Sequence, residues 1–527
     1  MTARPYDVLI VGSGIMGAGV ARAIRDADPH ARIVMVEAAP VIGSVPGQHL
    51  HDSAEPEIWA RYNASVSSGV QALYVGAEST PDIGDTVVGA APGIYSLGSF
   101  GENAAELPGS AVAWNAGGMG VHWTAATPWP SGSEVFAGGG QGVGSAAAAG
   151  VAGDEQAATG SAAARQWQAD LDRARELLHV NPNPYGTSAA GAVVLRRLDE
   201  AFAAVSADGR HVQPMPMAIN RVSAGHLWRT GPNRIFEPLG TGDDDDFTLL
   251  TETVCLRVMH DDGRAVGAEV RDLATGDARV IEARAVVLCA DALRTPQLLW
   301  ASAIRPPALG HHLNEHAFLS GRVIVDHEGL GIDLAEIPMP RDGEWFCGSY
   351  WLPANGPGQP FHGQIMDSPI IDDAGTTVGY SVGLSWYVPT ETRADNRLEF
   401  SDTELDPAGL PRMTVHFSYS PADLALIQDA RASQARAATR LGAFDPALDA
   451  ALLAPGSSLH YTGTVRMGET DDGTSVCDTG ARIWGYDNLF VAGNGVVPTA
   501  LACNSTLTAM ITAVRAARSV LAVLAAA

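Results

Sequence analysis

Gly12, Gly14 and Gly17 form a GxGxxG spacing between the apolar run Val8-Leu9-Ile10-Val11 and a helical stretch reaching Ala27. Each glycine has its own physical reason. The first permits a tight turn, the second lets a pyrophosphate approach the backbone, and the third lets helix and strand pack closely. Free N–H groups at the helix start, around Ile15 and Met16, can then meet phosphates. A second apolar run, Ile33-Val34-Met35-Val36, ends at Glu37. That carboxylate lies about 20 residues beyond the last glycine, where it can accept hydrogen bonds from an adenosine ribose. The glycines alone would fit an ordinary turn. Strand, glycine turn, helix, strand and acid in this order specify a βαβ dinucleotide site.

The rest of the chain must position that site. Residues 40–110 are rich in Gly, Pro and Ser and read as surface excursions. A glycine-rich run, Asn115 to Thr124, follows. Residues 131–163 are a Gly/Ala tract of low complexity, read equally as a mobile active-site lid or as a plain disordered insertion. A helix is expected from about Ala164 to Leu178, with Trp167, Leu171, Ala174 and Leu178 on one face. Alternation from Phe247 to Ile281 predicts a β-meander with turns at Asp262-Gly263 and Thr275-Gly276, closing into a buried strand over 285–290. Thr295-Pro296 is read as opening a helix. Strands at 397–400 and 413–417 and a helix from about Pro421 to Leu441 belong to a second, substrate-facing unit. A strand over 488–493 and an apolar helix over 507–524 return to the style of the first unit. An N-terminal βαβ unit revisited at 285–300 and 488–524 suits FAD better than NAD, and nothing else in the sequence resembles a second dinucleotide site.

Length and composition bound the answer. At 527 residues the chain is too long for one simple core. The net charge of −26 argues against nucleic acid or an anionic membrane as partner. No run of 18 apolar residues is present, and no signal peptide is recognised before Tyr6, so a cytoplasmic location is expected. Cys255, Cys289, Cys347, Cys477 and Cys503 are scattered, suggesting neither a disulfide framework nor a metal site.

Four further segments carry a resemblance: Gly117 to Thr124, Pro360-Phe361-His362-Gly363-Gln364-Ile365, Leu459-His460-Tyr461-Thr462-Gly463-Thr464, and Gly493 to Thr508. The chain resembles the glucose-methanol-choline (GMC) oxidoreductases, and within them the pyranose oxidases and bacterial glycoside 3-oxidases, over nearly its whole length. The resemblance implies an α/β fold, with a Rossmann-like FAD-binding domain (1–130, 240–315 and 458–527) interleaved with an α+β substrate-binding domain (316–457), and the Gly/Ala-rich loop at 131–165. It implies a catalytic pair, His460 as base and Asn504 as the amide that holds the hydroxyl, chemistry both side chains can perform. The flavin side would be formed by Gly118, Met119, His122, Trp123, Thr124, Ala290, Asn494, Pro498 and Thr499, with Val254 beside adenine. His122 matches a histidine that some relatives join covalently to FAD and others do not; Val121 replaces their usual threonine. Gln364 and Asp367 fall where sugar-binding residues are expected, and an expected arginine is missing around Ser385-Trp386. The implied reaction is oxidation of a pyranose hydroxyl at C2 or C3 of a sugar or glycoside, with O2 (giving hydrogen peroxide) or a quinone as acceptor, by a monomer or homo-oligomer. A dehydrogenase of another alcohol, an FAD-containing lyase and a non-catalytic flavoprotein are the rival readings.

Overall fold

A computed structural model describes residues 5–60, 83–136, 161–207, 209–222, 226–340, 344 and 346–526. Strand Tyr6–Val11 sits at the middle of a parallel sheet, flanked by Ile33–Val36 and by the long strand Ala278–Leu288, with Leu9 aligned to Val34 and to Val286. Phe247–Leu250 extends the sheet on one side and Leu489–Val491 on the other. Val8, Leu9 and Ile10 have no exposed surface, the signature of a strand covered on both faces. The N-terminal half of Ala278–Leu288 turns away to pair antiparallel with Arg264–Asp272, which pairs with Thr253–Asp261. One strand therefore serves both the nucleotide sheet and the expected meander. Asp262 and Gly263 both take positive φ in the connecting two-residue turn, as the strand twist requires.

Helix Ile15–Ala27 is covered by helix Thr506–Ala526. A Cβ at Gly19 would lie 2.5 Å from the Met510 sulfur, so glycine lets these helices touch. Among the described residues, Thr506–Ala526 is the one helix long and apolar enough to cross a bilayer. Its residues 507–517 are buried in the protein, and its Arg515 pairs with Asp170 of helix Ala162–Leu177 at 2.9 Å.

A second sheet has the order Ala450–Leu452, Ala317–Ile324, Thr377–Val388, His362–Ile371, Gly348–Leu352, Gln213–Pro214, all antiparallel. One face buries Ile365, Leu384 and Trp386 against Val194 and Leu198 of helix Ala189–Phe202 and Ile427 of helix Pro421–Ala438. The other face turns His362, Gln364 and Tyr387 toward the first unit.

Several expectations are corrected. Strands Arg397–Leu405 and Pro411–His416 pair with each other, outside the second sheet, and pack with Phe100, Trp114 and Leu293 on the nucleotide side. Within residues 40–110, Gly93–Ser96 forms a ribbon with Ala111–Trp114 that contributes Tyr95 to this same core. The helix read as opening at Thr295-Pro296 begins at Asp291, whose carboxylate accepts hydrogen bonds from the N–H groups of Leu293 (2.6 Å) and Arg294 (2.9 Å). Pro296 thus lies inside the helix and cannot bond the Ala292 carbonyl four residues back. The Thr464 hydroxyl donates to that carbonyl instead. Most of the Gly/Ala tract, 137–160, lies outside the described residues.

Candidate active site

A cavity of about 310 Å3, partly open to solvent, runs through the first unit. At one end it is walled by Gly12, Gly14, Ile15, Met16, Glu37 and Val254; further along by Gly118, Met119, Trp123 and Ala290; and at the other end by His460, Asn494, Ser505 and Thr506. Local conformation explains the glycines. Gly12 has φ +102°, and a Cβ there would sit 2.5 Å from the Cys289 carbonyl oxygen. A Cβ at Gly17 would sit 2.0 Å from the Gly12 oxygen, so Gly17 is a packing residue behind the wall. Gly14 and Gly118 both line the cavity and lie side by side in its wall; a Cβ on Gly118 would come within 3.9 Å of the Gly14 Cα.

Glu37 is more engaged than its spacing indicated. One carboxylate oxygen accepts from the Ser13 N–H (3.0 Å) and hydroxyl (2.7 Å), the other from the Ala39 N–H (3.1 Å). The Ser13 hydroxyl also accepts from the Gly117 N–H at 2.8 Å. Ser13, inside the GxGxxG motif, thereby ties the two glycine loops to the acid. Burial pushes the Glu37 carboxyl above its usual value, and the Ser13 bonds oppose that rise. Beyond Glu37 the wall holds a buried cluster that sequence reasoning missed: Arg294 bonds Glu102 and lies 3.2 Å from Asp406.

The opposite end is built from side chains. His460 Nε2 lies 3.5 Å from Asn504 Nδ2, and Asn504 Nδ2 lies 3.5 Å from Gln364 Oε1. The structure thus brings together three residues selected by sequence. It adds three that were not. His316 Nδ1 is 3.1 Å from His460 Nδ1. Glu315 accepts from the His460 N–H (3.0 Å), the Ser458 N–H (3.0 Å) and the Ser458 hydroxyl (2.5 Å). His362 accepts the Trp351 indole N–H at Nδ1 (2.7 Å) and shares the ring of Tyr387 with His460. His362 Nε2, Gln364 Nε2 and Asn504 Oδ1 are buried without a well-formed hydrogen bond among the described residues. Buried polar atoms at one locus are rarely left unpaired unless something else completes them.

Burial holds all three imidazoles neutral: His316 falls to about 4, His362 to about 3, and His460, also depressed by its two histidine neighbours, falls well below its usual value. Burial pushes Glu315 up to about 8 despite its three donors.

Other selected residues lie elsewhere. Asp367 sits on the opposite face of the sheet from Gln364, because residues three apart on a strand point to opposite sides. It accepts the hydroxyls of Tyr350 (2.8 Å) and Tyr380 in the second core. His122 is packed behind the cavity, its Nε2 2.8 Å from Asn115 Oδ1. Thr124 is half-buried and, like His122, outside the cavity wall. Pro498 and Thr499 precede the C-terminal helix start and do not line the cavity. The Pro498 carbonyl accepts from Arg466, and the Thr499 hydroxyl donates to the Glu134 carbonyl. Ser505 and Thr506, at the helix start, line the cavity instead. The Glu134 carboxylate also accepts from the N–H groups of Ala502 (2.7 Å) and Cys503 (2.9 Å), fixing the turn before Asn504.

Comparison with known proteins places this geometry. GMC oxidoreductase family models match residues 240–318 and 392–513. A C-glycoside 3-oxidase of Microbacterium trichothecenolyticum is 38% identical, covering 99% of this chain and 98% of its own. A C-glycoside 3-oxidase of Arthrobacter globiformis is 36% identical, covering 98% and 94%. A pyranose 2-oxidase of Tricholoma matsutake is 27% identical, covering 98% and 93%. The crystal structure of pyridoxine 4-oxidase from Mesorbium loti shares the fold, with a TM-score of 0.58, 19% identity, and coverage of 97% and 98%.

Proposed function

Since the chain belongs to the GMC oxidoreductases, a family of flavoproteins, we propose that it binds FAD and oxidises a ring hydroxyl of a glycoside to a ketone, at C3 in preference to C2. The observation that carries this reading is the placement of His460, which lines the same cavity as the GxGxxG turn and lies 3.5 Å from Asn504. The residues present fit the cofactor. Gly14 and Gly118 bring bare backbone to the cavity wall, as close approach of a pyrophosphate requires, the N–H groups at the start of helix Ile15–Ala27 favour its charge, and Glu37 lines the same cavity where it could meet a ribose.

The bound flavin supplies a two-electron acceptor for the hydride leaving the carbinol carbon. The chain's own residues do the rest. His460, kept neutral by burial, can take the hydroxyl proton at Nε2. Asn504 can hold the same oxygen through its amide without exchanging a proton. Gln364 Nε2 and His362 Nε2 offer two further donors to the sugar ring. The sugar class rests on the likeness to C-glycoside 3-oxidases and pyranose 2-oxidases. A glycoside in place of free glucose is favoured by the missing arginine at Ser385-Trp386. His122 Nε2 is occupied by Asn115, which supports a non-covalently held flavin. O2 or a quinone would accept the electrons.

Anaerobic mixing of the purified holoprotein with a C-glycoside, an O-glycoside and glucose tests the proposal. Flavin bleaching is expected, fastest with a glycoside, with a 3-keto product. Absence of bleaching by all three would overturn it.

A further inference from the structure

We propose that His316 is a positioning residue that fixes the tautomer of His460, holding its single proton on Nδ1 and leaving Nε2 bare toward Asn504. The inference deepens the reading of His460 as the base and rests on it.

The argument follows the protons. His316 Nε2 lies 2.6 Å from the Leu501 carbonyl oxygen. A carbonyl only accepts, so His316 carries its proton on Nε2. A neutral imidazole has one N–H, which leaves His316 Nδ1 as an acceptor. Its neighbour at 3.1 Å is His460 Nδ1. Two bare nitrogens, or two protonated ones, would repel at this distance. His460 must therefore bring the hydrogen, and its Nε2 is left without one.

A separate contact agrees. The atom 3.5 Å from His460 Nε2 is Asn504 Nδ2, an N–H donor that also faces Gln364 Oε1. A donor amide beside His460 Nε2 fits a bare nitrogen and not a protonated one.

His316 does this together with its neighbour in sequence. Glu315 grips the His460 and Ser458 backbone, and His316 grips the His460 ring. The remaining titratable groups around the pair are His362 and Tyr387, whose ring lies 5.6 Å from His316 and 5.3 Å from His460, with Tyr419 beside Glu315. None of these offers a second acceptor to His460 Nδ1.

The arrangement prepares the reaction in a definite way. The substrate hydroxyl proton moves to His460 Nε2, while the Nδ1 proton stays in place. His460 becomes an imidazolium and the Nδ1–H···Nδ1 bond becomes charge-assisted, roughly doubling in strength. His316 thus orients the base before the transfer and steadies its charge afterwards. It acts through His460, its two ring nitrogens being engaged by His460 and the Leu501 carbonyl.

Histidine-selective 15N spectroscopy of the holoprotein tests the tautomer directly. His460 is expected to show a protonated Nδ1 and a bare Nε2, and His316 the reverse. A protonated Nε2 on neutral His460 would overturn the proposal. Two variants supply the kinetic arm. His316→Gln retains an acceptor for His460 Nδ1–H and a donor for Leu501, and is expected to keep the wild-type His460 pattern, with flavin reduction within about 3-fold of wild type. His316→Leu removes the acceptor. It is expected to mix the His460 tautomers and slow flavin reduction about 10- to 100-fold, with little change in KM, a part of the range that general-base catalysis covers. A Gln variant as slow as the Leu variant would also overturn the proposal. If His316→Leu does not fold, the wild-type spectrum and the Gln variant still decide. Failure of the parent reading looks different: flavin reduction would survive His460→Ala whatever the tautomer.

Discussion

At the nucleotide end of the cavity the wall is largely backbone: Gly12, Gly14 and Gly118 contribute no side chain, and the groups offered are N–H donors at a helix start. Around His460 at the other end, the groups gathered from Asn504, Gln364 and His362 are side-chain atoms, and they come with it from three separated segments. The first end is therefore expected to tolerate changes of side-chain chemistry and to fail when atoms are added. The second is expected to tolerate little chemical change, and groups such as Glu315 and Glu134 grip its backbone.

Substitutions can break or sharpen this contrast. The largest effect is expected from His460→Ala. Flavin reduction should fall by about 10^2- to 10^4-fold, the worth of a general base, while flavin content is unchanged. A stopped-flow trace with matched absorbance spectra measures both. Gly12→Ala should do the opposite, emptying the protein of flavin. The added carbon meets the Cys289 carbonyl, and positive φ alone costs about 1–3 kcal/mol. The flavin-to-protein ratio after purification reads this out.

Asp367→Ala should leave KM for the glycoside unchanged and lower the melting temperature. It strands two buried tyrosine hydroxyls at about 1–3 kcal/mol each. A raised KM would return Asp367 to the sugar site. Acidification is a subtler probe. The folded-state values of His316 and His362 lie at about 4 and about 3, below the unfolded value of about 6.5. The unfolded chain therefore binds protons first as pH falls. Their contribution is complete above about pH 6.5 and is lost as pH drops through the folded values. Thermal unfolding from pH 7 to pH 4 should show a declining midpoint, with a shallower slope in His362→Gln. The smallest effect is expected from Glu37→Gln, about 1 kcal/mol in flavin affinity by titration of the apoprotein, because the Ser13 contacts survive in part.

The contrast also explains what could be read from sequence. The GxGxxG turn and Glu37 are legible because their geometry is set within one βαβ unit, by residues adjacent along the chain. The buried runs of the parallel sheet and the alternating meander were legible for the same reason. His460 and Asn504 were reached only through resemblance to a family. His316 carries no local signal: its partner lies 144 positions away, and only the folded chain brings them together. Asp367 shows an avoidable error. Strand periodicity, applied to His362–Ile371, would have placed it on the face opposite Gln364. Pro296 misled because proline marks a helix start more often than an interior. No rule of sequence shows that a threonine from a remote loop will take up the freed carbonyl.

Helix Thr506–Ala526 lies against Ile15–Ala27, and Leu489–Val491 adds a strand beside Ala278–Leu288. During synthesis the first βαβ unit therefore leaves the ribosome with an apolar flank bare. Its cover is translated about 500 residues later, a wait on the order of 25–100 s at roughly 5–20 residues per second. Through that interval the newborn chain needs shielding from its neighbours, and flavin capture becomes a late event, after translation has reached the closing helix.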